Sequence, residues 1–198
     1  MKLHLLPNKI IFLFLLLVLF TNRLQAQQKG SFETGAKIMI EANSSNGGTM
    51  PFTGLQLVYK KGKHNGLETG LYYRPLHNEF IVMVNNGTTN FTAIALVAER
   101  LLSIPVLFRY HTKFINFSAG ASVDFFLGWK DKSDKNVITI NSYHRSNGVD
   151  VGAIAAINKD FLLGKKLVIE PEIRFNQIFT NGNTFLNSAF GVAFRYKL

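Results

Sequence analysis

Cysteine is missing from all 198 residues. Its absence excludes disulfides, thiolate metal sites, cysteine nucleophiles and lipid attachment through a cysteine. Tryptophan occurs once, and acids are scarce, 12 against 22 lysines and arginines. No apolar run reaches the roughly 18 residues that a membrane-crossing helix needs. The longest, Ile10 to Phe20, follows Lys2 and Lys9 and precedes Thr21-Asn22-Arg23-Leu24-Gln25-Ala26. A charged start, a short apolar centre and a small residue at the cut describe a secretory signal peptide. Residues 1–26 are therefore expected to be that peptide, with cleavage after Ala26. A retained anchor helix is the competing reading. Residues 27–198 then make one domain.

What the chain does have is alternation. From Lys113 to Trp129 the odd positions Ile115, Phe117, Ala119, Ala121, Val123, Phe125, Leu127 and Trp129 are all apolar, and the even ones are mostly small or polar. A strand turns alternate side chains to opposite faces, so one face here is greasy along its whole length. About 9–11 tilted residues cross a bilayer as a strand. Seven further segments repeat the pattern, at 31–41, 52–60, 67–74, 101–111, 149–157, 167–175 and 184–198. The spacing predicts an all-β chain: a closed antiparallel up-and-down transmembrane β-barrel of eight strands. Closure satisfies every backbone group and leaves no strand edge in lipid.

Short connections follow strands two, four and six, and longer ones follow one, three and five, as outer-membrane barrels require. Both termini are then expected in the periplasm. Residues 77–100 interrupt the rhythm with two apolar runs, 80–84 and 91–97, around the turn signal Asn85-Asn86-Gly87. They read as a hairpin protruding past the rim, with two additional barrel strands as the alternative. Pro105 and Pro171 fall inside strands, where each should mark a bulge or a lost ladder hydrogen bond. Tyr59, Tyr73, Tyr110, Trp129, Phe179 and Tyr196 sit near strand ends and fit interfacial girdles.

The inward parity carries seven acids, Glu33, Glu41, Glu68, Asp124, Asp150, Glu170 and Glu172, and seven bases, Lys37, Lys60, Arg74, Arg109, Arg174, Arg195 and Lys197. Paired buried charges are tolerable and unpaired ones are not, while an eight-stranded interior is only wide enough for side chains. A salt-bridged plug is the expectation, built mainly from Glu33, Lys37, Glu68, Arg74, Arg109, Asp124, Glu170, Glu172, Arg174 and Arg195. Glu170 and Glu172 share a face as paired catalytic acids do, but Arg174 and Arg195 favour a structural network.

The net charge of +10 falls to +7 once Lys2, Lys9 and Arg23 are removed. A basic balance alone suggests nucleic acid or an anionic surface; the placement argues against nucleic acid. Lys29, Lys61, Lys63, Lys113, Lys159, Lys165 and Lys166 fall at the short-turn end against Asp160, as a snorkelling rim. The outer loops hold Arg100, Lys130, Lys132, Lys135 and Arg145 against Glu79, Glu99, Asp131 and Asp134.

No enzyme is expected. His144 lies near Ser142 and Ser146 in a turn-rich loop without a nucleophile elbow, and His77 in another loop; a hydrolase needs its nucleophile beside an oriented base. His64 and His111 read as solvated turn residues. No histidine pair has metal-ligand spacing on a strand, and Gly47-Gly48 is a turn rather than a phosphate loop. Neither cofactor nor metal is expected.

Three stretches carry a resemblance. Ser103-Ile104-Pro105-Val106-Leu107-Phe108-Arg109-Tyr110 resembles a strand of the PorT-like outer-membrane β-barrel proteins, which share the eight-stranded OmpA/OmpX-type architecture. The glycine-bearing strand from Phe117 to Gly128, and the closing strand Phe190 to Leu198, are similar to those that follow it in that family. The resemblance covers about residues 31–198 and implies an integral barrel of the cell outer membrane. The last strand also resembles the signal read by the outer-membrane assembly machinery, although it ends in Leu198 rather than phenylalanine. The expected partners are outer-membrane lipids, that machinery, and a protein at the outer loops, for which the protruding hairpin offers edges for strand addition. The expected role is structural or interactive, with a secretion or envelope complex, or a lipid-modifying enzyme, as alternatives.

Overall fold

The computed structural model describes residues 30–43, 48–85, 90–145, 148–180 and 183–198. The expected signal peptide and the tips of four connections, residues 44–47, 86–89, 146–147 and 181–182, lie outside them. All regular structure among the described residues is strand: β1 (Gly30–Asn43), β2 (Thr49–Lys61), β3 (Asn65–Asn85), β4 (Asn90–His111), β5 (Asn116–Asp131), β6 (Val149–Asn158), β7 (Phe161–Leu163), β8 (Leu167–Thr180) and β9 (Asn183–Lys197). Every pairing is antiparallel, each strand lies beside its chain neighbour except β6 and β7, and β9 pairs with β1. A β6–β8 ladder closes the ring.

The short β7 is a continuation of β6, so eight strands span the ring. Both pair with β8 in one register, Asn158 opposite Glu172 and Phe161 opposite Ile169. The interruption falls opposite Pro171, whose carbonyl accepts from Lys159 N at 3.2 Å but which has no N–H to return. Pro105 acts in the same way. The β3–β4 ladder skips from the Thr69–Val106 pair to Tyr72–Ser103 without changing register, and the Thr69 hydroxyl donates to the Pro105 carbonyl at 2.8 Å. Each proline costs a ladder bond and neither makes a bulge.

The bulge lies elsewhere. Between Arg100 and Leu101 the β4–β5 register slips, since Arg100 faces Gly128 and Leu101 faces Phe126. Leu127 is the extra residue, and Gly128 takes φ +147°, a region open chiefly to glycine. This corrects the expectation for Trp129. The slip reverses parity, and Trp129 pairs with Glu99 on the axial side, its ring centroid 5.6 Å from that of Tyr143. The outward stripe of β5 ends at Leu127.

Following the pairs once around, Glu33, Val58, Glu68, Leu107, Gly120, Ile154, Asn176 and Asn187 lead back to Asn43. The circuit returns ten residues beyond its start, which for eight strands means a tilt of roughly 40°. On β8 the outward residues from Leu167 to Phe175 then rise about 20 Å, close to the ~25 Å apolar band of such barrels. Outward apolar side chains stay exposed, Leu55 at 66%, while inward neighbours such as Val58 are fully buried. At the inward Gly120 a Cβ would lie 2.1 Å from the Val106 carbonyl oxygen, so the strands approach where a side chain is missing. Tyr72 fills the space over two more inward glycines: a Cβ at Gly54 or Gly70 would come within 2.6 Å of its ring.

Residues 77–100 belong to β3 and β4 themselves. The β2–β3 ladder ends at Thr53–Tyr73, whereas β3 and β4 remain paired to Asn85–Asn90. The protruding hairpin is therefore an extension of two barrel strands, and two additional strands are not formed. The short connections Gly62–His64, Thr112–Ile115 and Gly164–Lys166 lie at the end that carries both Gly30 and Leu198.

Candidate functional site

The inward faces build a lumen in layers. In the first, at the short-turn end, Lys60 meets Glu33 at 2.9 Å and Asp160 at 2.8 Å. Arg195 meets Glu33 at 3.0 Å and Asp160 at 2.8 Å, and bonds Glu170. Arg109 also bonds Glu170, donates to Asn158 Oδ1 at 2.7 Å and reaches Glu68 at 3.1 Å. Lys37 donates to Glu68 at 2.9 Å and Glu172 at 2.8 Å, with Glu170 at 3.9 Å. Arg174 completes the set, donating through Nε to Glu172 at 2.7 Å and through Nη2 to Glu68 at 3.0 Å. Glu33, Glu68, Asp160, Glu170 and Glu172 thus face Lys37, Lys60, Arg109, Arg174 and Arg195, five acids against five bases.

Oxygens of Glu68, Glu170 and Glu172 lie within 4.8 Å of one another, a spacing that could hold a cation. The Lys37 ammonium occupies that role, aided by the guanidiniums of Arg109 and Arg174. No free carboxylate remains there to work as a general acid or base, because each is an acceptor for at least two cations.

Above this layer Met39, Phe52, Tyr72 and Ala189 form an apolar cluster, and Arg174 approaches the Tyr72 ring at 5.8 Å. Arg74 follows, donating through Nε to Glu41 at 2.6 Å and through Nη1 to Asp124 at 2.9 Å. Leu76, Leu101 and Ile178 close the next level, with Phe126 against them. At the top Arg145 meets Glu99 at 2.8 Å and bonds Asp150. Tyr143 donates to Glu99 and packs at a tilt against Phe80 and Trp129. Leu96 N donates to Ser133 Oγ at 2.9 Å, so the β5–β6 connection lies along the hairpin and covers the mouth. Burial and the bond to Glu99 push the Tyr143 phenol above its ordinary pKa.

All ten residues singled out as the main network, Glu33, Lys37, Glu68, Arg74, Arg109, Asp124, Glu170, Glu172, Arg174 and Arg195, lie buried inside the ring. Eight are in the first layer, and Arg74 and Asp124 are in the second. Sequence reasoning missed Asp160, Glu99 and Arg145, which it assigned to exposed ends. Asp160 continues the inward parity of β6, and Glu99 that of β4; both were readable from period two. Arg145 lies in a loop, where no periodicity points inward. Lys197 stands at the rim outside these ion pairs. His111 also departs from expectation: it ends β4 with its side chain buried, and its carbonyl is 3.0 Å from His64 Nδ1. Ser142 and His144 are exposed.

No family model matches the sequence, and no curated protein matches it. Solved structures do. The outer membrane protein OprG from Pseudomonas aeruginosa aligns at 13% identity and TM-score 0.51, over 86% of this chain and 97% of that one. Neisserial surface protein A gives 9% and 0.49, over 85% and 97%. Outer Membrane Protein W of E. coli gives 12% and 0.42, over 87% and 100%. The likeness to OprG is one of fold, the closed up-and-down barrel of an outer-membrane protein.

Proposed function

We propose that this chain is an integral barrel of the outer membrane whose lumen does not conduct, and that it acts as a structural or interaction protein without catalysis. The observation that carries this reading is the contrast between faces. Outward side chains are mostly apolar and exposed, with Thr34, Gln177 and Ser188 among the exceptions, while inward charge is consumed in ion pairs over three levels. Hydrocarbon is the solvent that suits the first, and nothing but side chains suits the second. After removal of residues 1–26, both termini and the short turns face the periplasm, and the closing strand β9 is read by the assembly machinery. The PorT-like resemblance of 103–110, 117–128 and 190–198 supports the same placement.

Interaction falls to the hairpin. From Arg74 to Asn85 the β3 edge away from β4 has no partner strand among the described residues, and Ile81 and Met83 are each 80% exposed. A protein partner adds a strand at this edge. Refolding into phosphatidylcholine vesicles, followed by planar-bilayer recording, tests the reading. The folded band should migrate differently from the boiled one on a gel, and no steady current should flow. Steady large currents would refute the filled lumen, and failure to enter vesicles would refute the barrel.

A further inference from the structure

We propose that the short-turn end of the barrel is a binding surface for anionic phospholipid headgroups, centred on Lys113, Lys159, Lys165 and Lys166. The proposal rests on the reading of the chain as a membrane barrel.

Lys61, Lys63, Lys113, Lys165 and Lys166 are exposed at this end, and Lys159 is half-buried. The acids of the same region, Glu33, Asp160 and Glu170, all turn into the lumen. Asp160 follows Lys159 directly and, turned outward, would offset one of these charges. Its carboxylate instead lies 2.8 Å from both Lys60 and Arg195. At the opposite end Arg100, Lys130, Lys132 and Lys135 stand against Glu79, Asp131 and Asp134, and Arg145 is spent inside. The molecule is polarised: exposed lysines without neighbouring exposed acids gather at the short-turn rim, whereas the opposite end mixes both signs.

Apolar surface beside the lysines favours a lipid over a soluble acidic partner. Phe161, Leu162 and Leu163 are consecutive and each at least half exposed, and Phe114 is 73% exposed. The lysines stand among them. Lys159 Nζ donates to the Lys113 carbonyl at 3.2 Å, tying the break between β6 and β7 to the β4–β5 turn. Lys113 Nζ lies 5.9 Å from the Phe114 ring, and Lys166 Nζ 5.1 Å from that of Tyr196. Acyl chains against Phe161 and Leu163 place a lipid phosphate at the height of these ammoniums, which as compact charges suit a phosphate. A lipid presents an anionic phosphate and acyl chains together, matching the lysines and the exposed Phe114 and Phe161 beside them.

The test uses the full refolded chain in phosphatidylcholine vesicles, with spin-labelled phosphatidylglycerol or phosphatidylcholine reporting which lipid sits at the protein boundary. Phosphatidylglycerol should be preferred on the order of fivefold at low salt, falling toward unity at high salt. The variant Lys113→Gln, Lys159→Gln, Lys165→Gln and Lys166→Gln should lose the preference, and arginine at the same four positions should keep it. A control with Lys130→Gln, Lys132→Gln and Lys135→Gln should retain it. Equal association of the two lipids with the wild-type barrel overturns the proposal. So does a preference lost in the control but kept in the fourfold glutamine variant, or one replaced by lysine-dependent binding of polyglutamate. A chain that enters vesicles, judged by its gel migration, yet shows no preference defeats this inference alone; one that never enters defeats the barrel reading.

Discussion

Replacing Lys37 with methionine removes one charge from the middle of the first lumen layer while nearly keeping its length and bulk. Lys37 is fully buried, and its ammonium lies 2.9 Å from Glu68 and 2.8 Å from Glu172. The five-against-five balance becomes five acids against four bases, and three carboxylates within 4.8 Å lose their central cation. Breaking a buried pair by removing one partner costs roughly 3–5 kcal/mol, chiefly because the other charge stays buried without compensation. Adding Glu172→Gln restores neutrality, and Arg174 Nε, at 2.7 Å in the wild type, can still donate to the amide oxygen. The double variant should therefore recover about 2 kcal/mol of the loss, a coupling in the range expected for contacting residues. Urea unfolding from vesicles, followed by gel migration, measures both. A cost below about 1 kcal/mol for Lys37→Met, or an additive second cost from Glu172→Gln, would refute the claim that these charges stabilise one another.

The remaining predictions concern backbone, bulge and loop. Gly120→Ala places a Cβ 2.1 Å from the Val106 carbonyl oxygen, whereas at Gly148 a Cβ meets open space; the first should cost about 1–3 kcal/mol and the second less than about 0.5, by the same unfolding assay. Trp129, the one tryptophan, should resist quenching by brominated lipid, because the Leu127 bulge turns it toward the axis; strong quenching would return it to the lipid face. Tyr143 has a phenol pKa raised by burial and by Glu99, so its support of the docked loop is intact below about pH 10 and is lost as pH rises through the higher folded value. Proteolysis within 134–144 should accelerate in that alkaline range for the wild type, and already at neutral pH for Tyr143→Phe.

The barrel was legible because its two faces meet different solvents, so period two survives in 149–157 or 190–198 without help from propensity. The hairpin at 77–100 was legible as a protrusion, but its origin as an extension of β3 and β4 was not, since Phe80 to Val84 are apolar on both faces. The bulge escaped for a related reason. Phe126 and Leu127 are both apolar, so the hydrophobic pattern passes through the slip unchanged, and only Gly128 hints at it. Pro171 signalled a lost hydrogen bond correctly, yet whether the chain would bulge depends on the partner strand. The ten residues of the main network were chosen by parity alone. Asp160 and Glu99 obeyed the same parity but lay next to turn-forming or loop-like residues. Arg145 reaches the lumen from a loop, through contacts that no local pattern encodes.

The absence of cysteine makes the central claim, that lipid bathes one face of each strand and side chains the other, directly measurable. Single cysteines from 151 to 157 along β6, each carrying a small fluorophore, should alternate in refolded vesicles. Positions 151, 153, 155 and 157 should be quenched by brominated lipid, and 152, 154 and 156 should be shielded from it. Uniform quenching, or quenching of the odd positions by a water-soluble agent instead, would contradict the account.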